Sequence, residues 1–145
     1  MGTGYVIDQG LSFDSTVTLK GTWSNASGST IAAGAHATLI LDGAWSNAGT
    51  ITGAAGWCSI NLGGTFTTSG VGTLVPNGAS VDLEGVCANT GQTLAFTATT
   101  GWWNLMGGTI TDGTITFAGG AALVVGLGGG TLDGVTLASD WTIPR

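Results

Sequence analysis

Positive charge is almost missing from this chain: among 145 residues only Lys20 and Arg145 are basic, against eight Asp and Glu. A net charge of −6 repels a phosphate backbone, which a nucleic-acid surface must meet with Lys and Arg, so no nucleic-acid partner is expected. Long apolar runs are missing too. None approaches the roughly 20 residues that span a bilayer, which argues against membrane insertion. The opening Met1-Gly-Thr-Gly-Tyr5 has neither the basic nor the apolar region of a secretory signal. Cysteine is reduced to Cys58 and Cys87, too few to define a redox compartment. Histidine occurs once, at His36, and no Ser/His/Asp or Cys/His constellation assembles around it by spacing, so a loop residue is expected there.

Glycine is what abounds, at 28 residues, alongside Thr, Ser and Ala. Such a composition can remain disordered, but 43% apolar residues and six Trp demand a buried core. The length suffices for one domain to hold it.

Self-similarity supplies the fold. Six pieces alternate apolar and mostly polar residues and end in Leu: Val17-Thr-Leu19, Leu39-Ile-Leu41, Ile60-Asn-Leu62, Val81-Asp-Leu83, Trp103-Asn-Leu105 and Val125-Gly-Leu127. The leucines recur every 21 or 22 residues, and the second residue after each is Gly: Gly21, Gly43, Gly64, Gly85, Gly107 and Gly129. Period-2 alternation is the mark of a strand with one face buried, so the leucines are expected to form an inward ladder. Glycine at a fixed offset reads as a sharp corner, where a Cβ is resisted.

After the corner come Trp23, Trp45, Phe66 and Cys87, four residues beyond the Leu, then Ile110 and Leu132 five beyond, a shift matching an extra residue after Gly107 and Gly129. A polar turn follows, with Asn25, Asn47 and Asn89 expected to form a partial ladder between coils. A third column, Ile31, Ile51, Leu74, Leu94, Ile115 and Leu137, is extended by Ile7 toward the N-terminus. Small residues such as Ala32-Ala-Gly-Ala-His-Ala37 return the chain to the next Leu piece. A sandwich or barrel does not require the same residue type at the same offset in every turn, whereas a stacked solenoid does. The reading is therefore an all-β, parallel β-solenoid of about six coils of about 22 residues with three short strands each. Its single domain spans 1–145, with a partial first coil over 1–14, regular coils over 15–137 and an end segment over 138–145. Crossover preference favours a right-handed coil.

These columns, with Gly-Thr-Trp-Ser-Asn at 21–25, Gly-Ala-Trp-Ser-Asn at 43–47 and Gly130-Thr-Leu-Asp-Gly-Val135, resemble the right-handed β-helix repeats of bacterial autotransporter passengers and filamentous-haemagglutinin-like surface proteins. The resemblance covers nearly the whole chain. It implies an extracellular or cell-surface setting and a structural or adhesive, non-catalytic role.

Polysaccharide lyases and hydrolases of β-helix fold cut acidic glycans with clustered carboxylates, basic partners and often calcium. Here the basic partners are nearly absent, and Asp42 follows its Leu while Asp82 and Glu84 flank theirs, so the pleat aims them differently and a solvated face is expected. No enzyme activity, cofactor or metal is expected. Cys87 shares the column of Trp23, Trp45 and Phe66, which favours a buried free thiol over a bridge. If Trp103 points inward, Trp102 points outward and becomes a candidate surface contact, either on a carbohydrate or over a neighbouring loop. Thr65/Thr67, Thr109/Thr111 and Thr114/Thr116 raise ice binding as the alternative, but in the column of Thr65 and Thr67 the neighbours Ala44/Ser46 and Val86/Ala88 interrupt the array. No capping segment is evident, so the expected partner is either further coils of a longer chain or a second copy stacked end to end.

Overall fold

The computed structural model describes the backbone of residues 5–7 and residues 14–143, and it is a parallel β-solenoid of about six coils. Each coil lays one short strand on each of three faces. The first face is a six-stranded sheet of Ser15–Leu19, Ala37–Leu41, Ser59–Leu62, Ser80–Leu83, Trp103–Leu105 and Leu123–Val125. The second, also six-stranded, holds Thr22–Asn25, Ala44–Asn47, Thr65–Thr67, Val86–Ala88, Thr109–Thr111 and Thr131–Asp133. The third face divides into Tyr5–Ile7, Thr30–Ala33, Thr50–Thr52 and Thr73–Val75, then Thr93–Phe96, Thr114–Phe117 and Thr136–Leu137. One 3-10 turn, Ser69–Val71, is the sole helical element among the described residues, and no helix there is long and apolar enough to cross a membrane.

Register on the first face stacks Leu19, Leu41, Leu62 and Leu83 on Leu105. Leu41, Leu62, Leu83 and Leu105 are buried, while Leu19, at the open end, is half-buried. Leu127 departs from the expectation: it is fully exposed, and Val125 takes the place opposite Leu105. A strand pattern shifted by two residues preserves its alternation, so the sequence alone does not separate the two registers. The corner decides it, because Leu105 and Thr109 are partnered by Val125 and Thr131, leaving a longer turn with Leu127 on it.

The corner glycines hold the coils together at close range. Gly21, Gly43 and Gly64 have φ of 80, 80 and 60°, and their carbonyls accept the N–H groups of Ala44, Thr65 and Val86 at 2.8, 2.7 and 2.8 Å. A Cβ on Gly43 would overlap the Gly21 carbonyl, and one on Gly64 the Gly43 carbonyl. Gly85 is equally crowded by Gly64 but is absent from the positive-φ set, so close approach alone demands glycine there. In the fifth and sixth coils the crowded positions pass to Gly108 and Gly130, while Gly107 and Gly129 take positive φ with open space beside them. The extra residue expected after Gly107 and Gly129 is thus seated inside the ladder.

On the second face Trp23 stacks on Trp45 at 5.4 Å between ring centroids, and Trp45 on Phe66 at 4.4 Å, before Cys87, Ile110 and Leu132 continue the column. The indole nitrogens of Trp23 and Trp45 donate to the Asp42 and Gly63 carbonyls, so burial leaves neither unsatisfied. At the following turn Asn25 Nδ2 donates to Asn47 Oδ1 at 2.8 Å. Asn47 in turn donates to the Val71 carbonyl at 2.8 Å. The third coil has Thr68 instead, whose hydroxyl donates to Asn89 Oδ1 at 2.6 Å. All three Asn are buried.

The third column buries Ile31, Ile51, Leu74, Leu94 and Ile115, but Leu137 is exposed. Ile7, expected to extend it, pairs with Ala33, and Tyr5 is the register partner of Ile31. The column divides where the third coil carries the extra turn Ser69–Val71: no ladder joins Thr73–Val75 to Thr93–Phe96. At the C-terminal end two side chains reach back onto the last coils. Trp141 Nε1 donates to the Leu123 carbonyl at 2.8 Å while its ring packs on the core, and Ser139 Oγ accepts the Phe117 N–H.

Candidate interaction surfaces

Between the third and first faces the chain turns tightly, and this corner carries the exposed aromatics. Ala37 N–H closes one turn onto the Gly34 carbonyl, Ala79 another onto Pro76, and Ala121 a third onto Ala118. Asn77 and Gly78 have φ of 52 and 91°, and Gly119 and Gly120 of 63 and 76°, the two successive left-handed residues that a primed turn needs and that Asn and Gly supply with little strain. One coil before Asn77-Gly78 the corresponding pair is Gly56 and Trp57, at 96 and 62°.

Trp57 is 88% exposed, the most exposed aromatic among the described residues. Beside it lies a hollow of about 590 Å³ walled by Asp14, Thr16, His36 and Thr38. His36 is a corner residue with φ of 62°, and its Nδ1 lies 3.6 Å from Asp14 Oδ1. Sequence reasoning treated His36 as a loop residue and passed over Trp57. The signal was available, since Gly56-Trp57 occupies the turn between two legible strands.

Trp102 points outward, 63% exposed, while Trp103 is buried against Phe96 with ring planes at 88°. Its indole Nε1 donates to the Gly120 carbonyl at 2.7 Å, so the ring spans the gap to the neighbouring turn. A second hollow, of about 540 Å³, lies between Trp102 and the Pro76-Asn77-Gly78 turn.

The carboxylates are dispersed. Asp42 Oδ1 accepts the Gly43 N–H at 2.8 Å. Asp82 accepts from Ser59, Ser80 and Asn104 on the outer side of the first face, and Glu84 from Asn61. No three His, Cys, Asp or Glu among the described residues come together to hold a metal ion. Both cysteines are buried and free. Burial raises both thiol pKa values, against smaller opposing effects from hydrogen bonds with Ala54 at Cys58 and with Thr68 at Cys87.

Threonines separate by face. On the second, the column Thr22, Ala44, Thr65, Val86, Thr109 and Thr131 is interrupted. On the third, the residue before each member of the Ile/Leu column is Thr: Thr30, Thr50 and Thr73 in one sheet, Thr93, Thr114 and Thr136 in the other. Their alternation with buried neighbours turns them outward. This column is written in the sequence as Thr-Ile or Thr-Leu, one residue ahead of the aliphatic column Ile31, Ile51, Leu74, Leu94, Ile115 and Leu137. Compared with family models, curated proteins and solved structures, the chain matches none.

Proposed function

We propose that the chain is a non-catalytic structural or adhesive solenoid that extends by stacking further coils on its N-terminal end. The observation that carries this reading is that end itself. Among the described residues nothing pairs with the outer edges of Ser15–Leu19 and Thr22–Asn25. An apolar hollow of about 300 Å³ opens there, lined by Val17, Leu19, Trp23, Ile31 and Leu39. Val17, Leu19 and Trp23 are half-buried, whereas their partners Leu39, Leu41 and Trp45 one coil on are buried. Unpaired N–H and C=O groups beside uncovered apolar side chains invite another parallel coil. The setting that accompanies the reading is extracellular, as for the surface proteins the coil resembles.

In solution the partner at hand is a second copy. Light scattering and electron microscopy of the chain should show association that rises with concentration, any fibre repeating at about 4.8 Å. Leu19→Lys, which sets a charge on the open core end, should abolish it. A particle that stays monomeric at its highest soluble concentration would overturn the stacking proposal.

A second reading, contact with an ordered surface such as ice, is favoured by the third-face threonine column. Its companion column of Ala32, Thr52, Val75, Ala95 and Thr116 carries no charge. Thermal hysteresis that disappears in Thr50→Lys and Thr114→Lys is the expected result; no hysteresis from the unaltered chain would remove this reading.

A further inference from the structure

Trp57 bears two penalties and receives no packing in return. A bulky residue at positive φ is a strained outlier, whereas the same turn one coil on is made from Asn77 and Gly78, which adopt it readily. An indole that is 88% exposed gives up the burial for which aromatic rings are ordinarily kept. Trp102 differs, because its ring is fixed by the bond to Gly120. The environment of Trp57 is polar on the side toward the preceding coil: two threonine hydroxyls, an imidazole and a carboxylate converge on one hollow. A flat aromatic face beside convergent hydrogen-bonding groups matches a ligand with an apolar face and a polar rim.

We propose that the hollow between Trp57, His36, Asp14, Thr16 and Thr38 binds a neutral β-linked glycan, one pyranose ring stacked on the Trp57 indole. A pyranose with equatorial hydroxyls presents C–H groups to the ring and hydroxyls to the threonines, the imidazole and the carboxylate. Charge narrows the class. An acidic glycan meets a chain of net charge −6, and Lys20 is not among the residues that line the hollow. The carboxylate that would attract a cationic sugar already faces His36 at 3.6 Å. A protein partner would want a broad apolar patch rather than one ring over a polar hollow. The proposal does not depend on coil stacking, because the hollow lies on a lateral corner.

The test is calorimetric titration of the whole chain with cellohexaose, with a chitosan oligomer and polygalacturonate as cationic and anionic arms. Saturable binding is expected for cellohexaose and weaker binding for the charged arms. Trp57→Gly and Trp57→Asn should each weaken it about tenfold or more, the loss expected for removing a stacking anchor. Both variants accept positive φ, so circular dichroism and the thermal midpoint should be unchanged or the midpoint raised. Trp102→Phe should bind like the unaltered chain. Absence of heat with cellohexaose at millimolar concentration, unchanged affinity in the two Trp57 variants, or a preference for polygalacturonate would each overturn the assignment.

Discussion

Leu83→Ala is expected to destabilise the solenoid by about 2–5 kcal/mol, the range for emptying a fully enclosed leucine site. Leu83 has no measurable exposure, pairs with Leu62 on one side and Leu105 on the other, and sits where a collapsing neighbour would have to break a ladder to fill the space. Urea unfolding followed by tryptophan emission measures it. A loss below about 1 kcal/mol would mean that the site relaxes in a way a stacked column does not permit. Leu127→Ala, at a fully exposed position, should fall within about 0.5 kcal/mol of zero, the surface range.

Gly64→Ala should cost still more than an ordinary glycine replacement, because two requirements coincide. Its φ of 60° costs an L-residue about 1–2 kcal/mol. The new methyl also meets the Gly43 carbonyl, and displacing a backbone against a packed layer adds about 1–3 kcal/mol. Two further variants separate the terms. Gly107→Ala has the positive φ of 89° but open space, and Gly85→Ala has the overlap without the positive φ. The sum of their losses should approach that of Gly64→Ala. If Gly107→Ala alone matches it, close approach contributes nothing and the corners are only turns.

The architecture was legible because the strongest columns repeat in residue type: Leu41, Leu62, Leu83 and Leu105 with Gly43, Gly64 and Gly85 fix both the period and the inward side. The partial ladder of Asn25, Asn47 and Asn89 was legible for the same reason, whereas the part Thr68 plays in it was not. Where the sequence misled, the cause was an ambiguity of period. Leu127 and Val125 both satisfy alternation, and only the length of the Gly126–Gly130 corner, settled by the pairing of Thr109 with Thr131, chooses between them. Ile7 was misplaced by the same two-residue ambiguity relative to Tyr5. The surfaces were harder to foresee. Trp102 announced itself as the neighbour of an inward Trp103, but Trp57 sits in a turn, where periodicity says nothing and only the left-handed backbone reveals that the residue is out of place. The threonine column on the third face lies one residue ahead of an aliphatic column that is legible in the sequence, but a search for Thr-x-Thr pairs passes over it, because Ala32, Val75 and Ala95 stand two residues beyond three of its members.

That extra turn also has a mechanical side. Coils one to three and four to six are each laced on three faces, but between Thr73–Val75 and Thr93–Phe96 only two faces carry ladders across. The Ser69 N–H bond to Gln92 Oε1 and the Thr68 bond to Asn89 bridge the junction nearby through single side chains. A rod joined along two of its three edges is most compliant at that joint. Bending or twisting strain should therefore concentrate between the third and fourth coils, with the unlaced third face opening first and the two six-stranded sheets acting as the hinge.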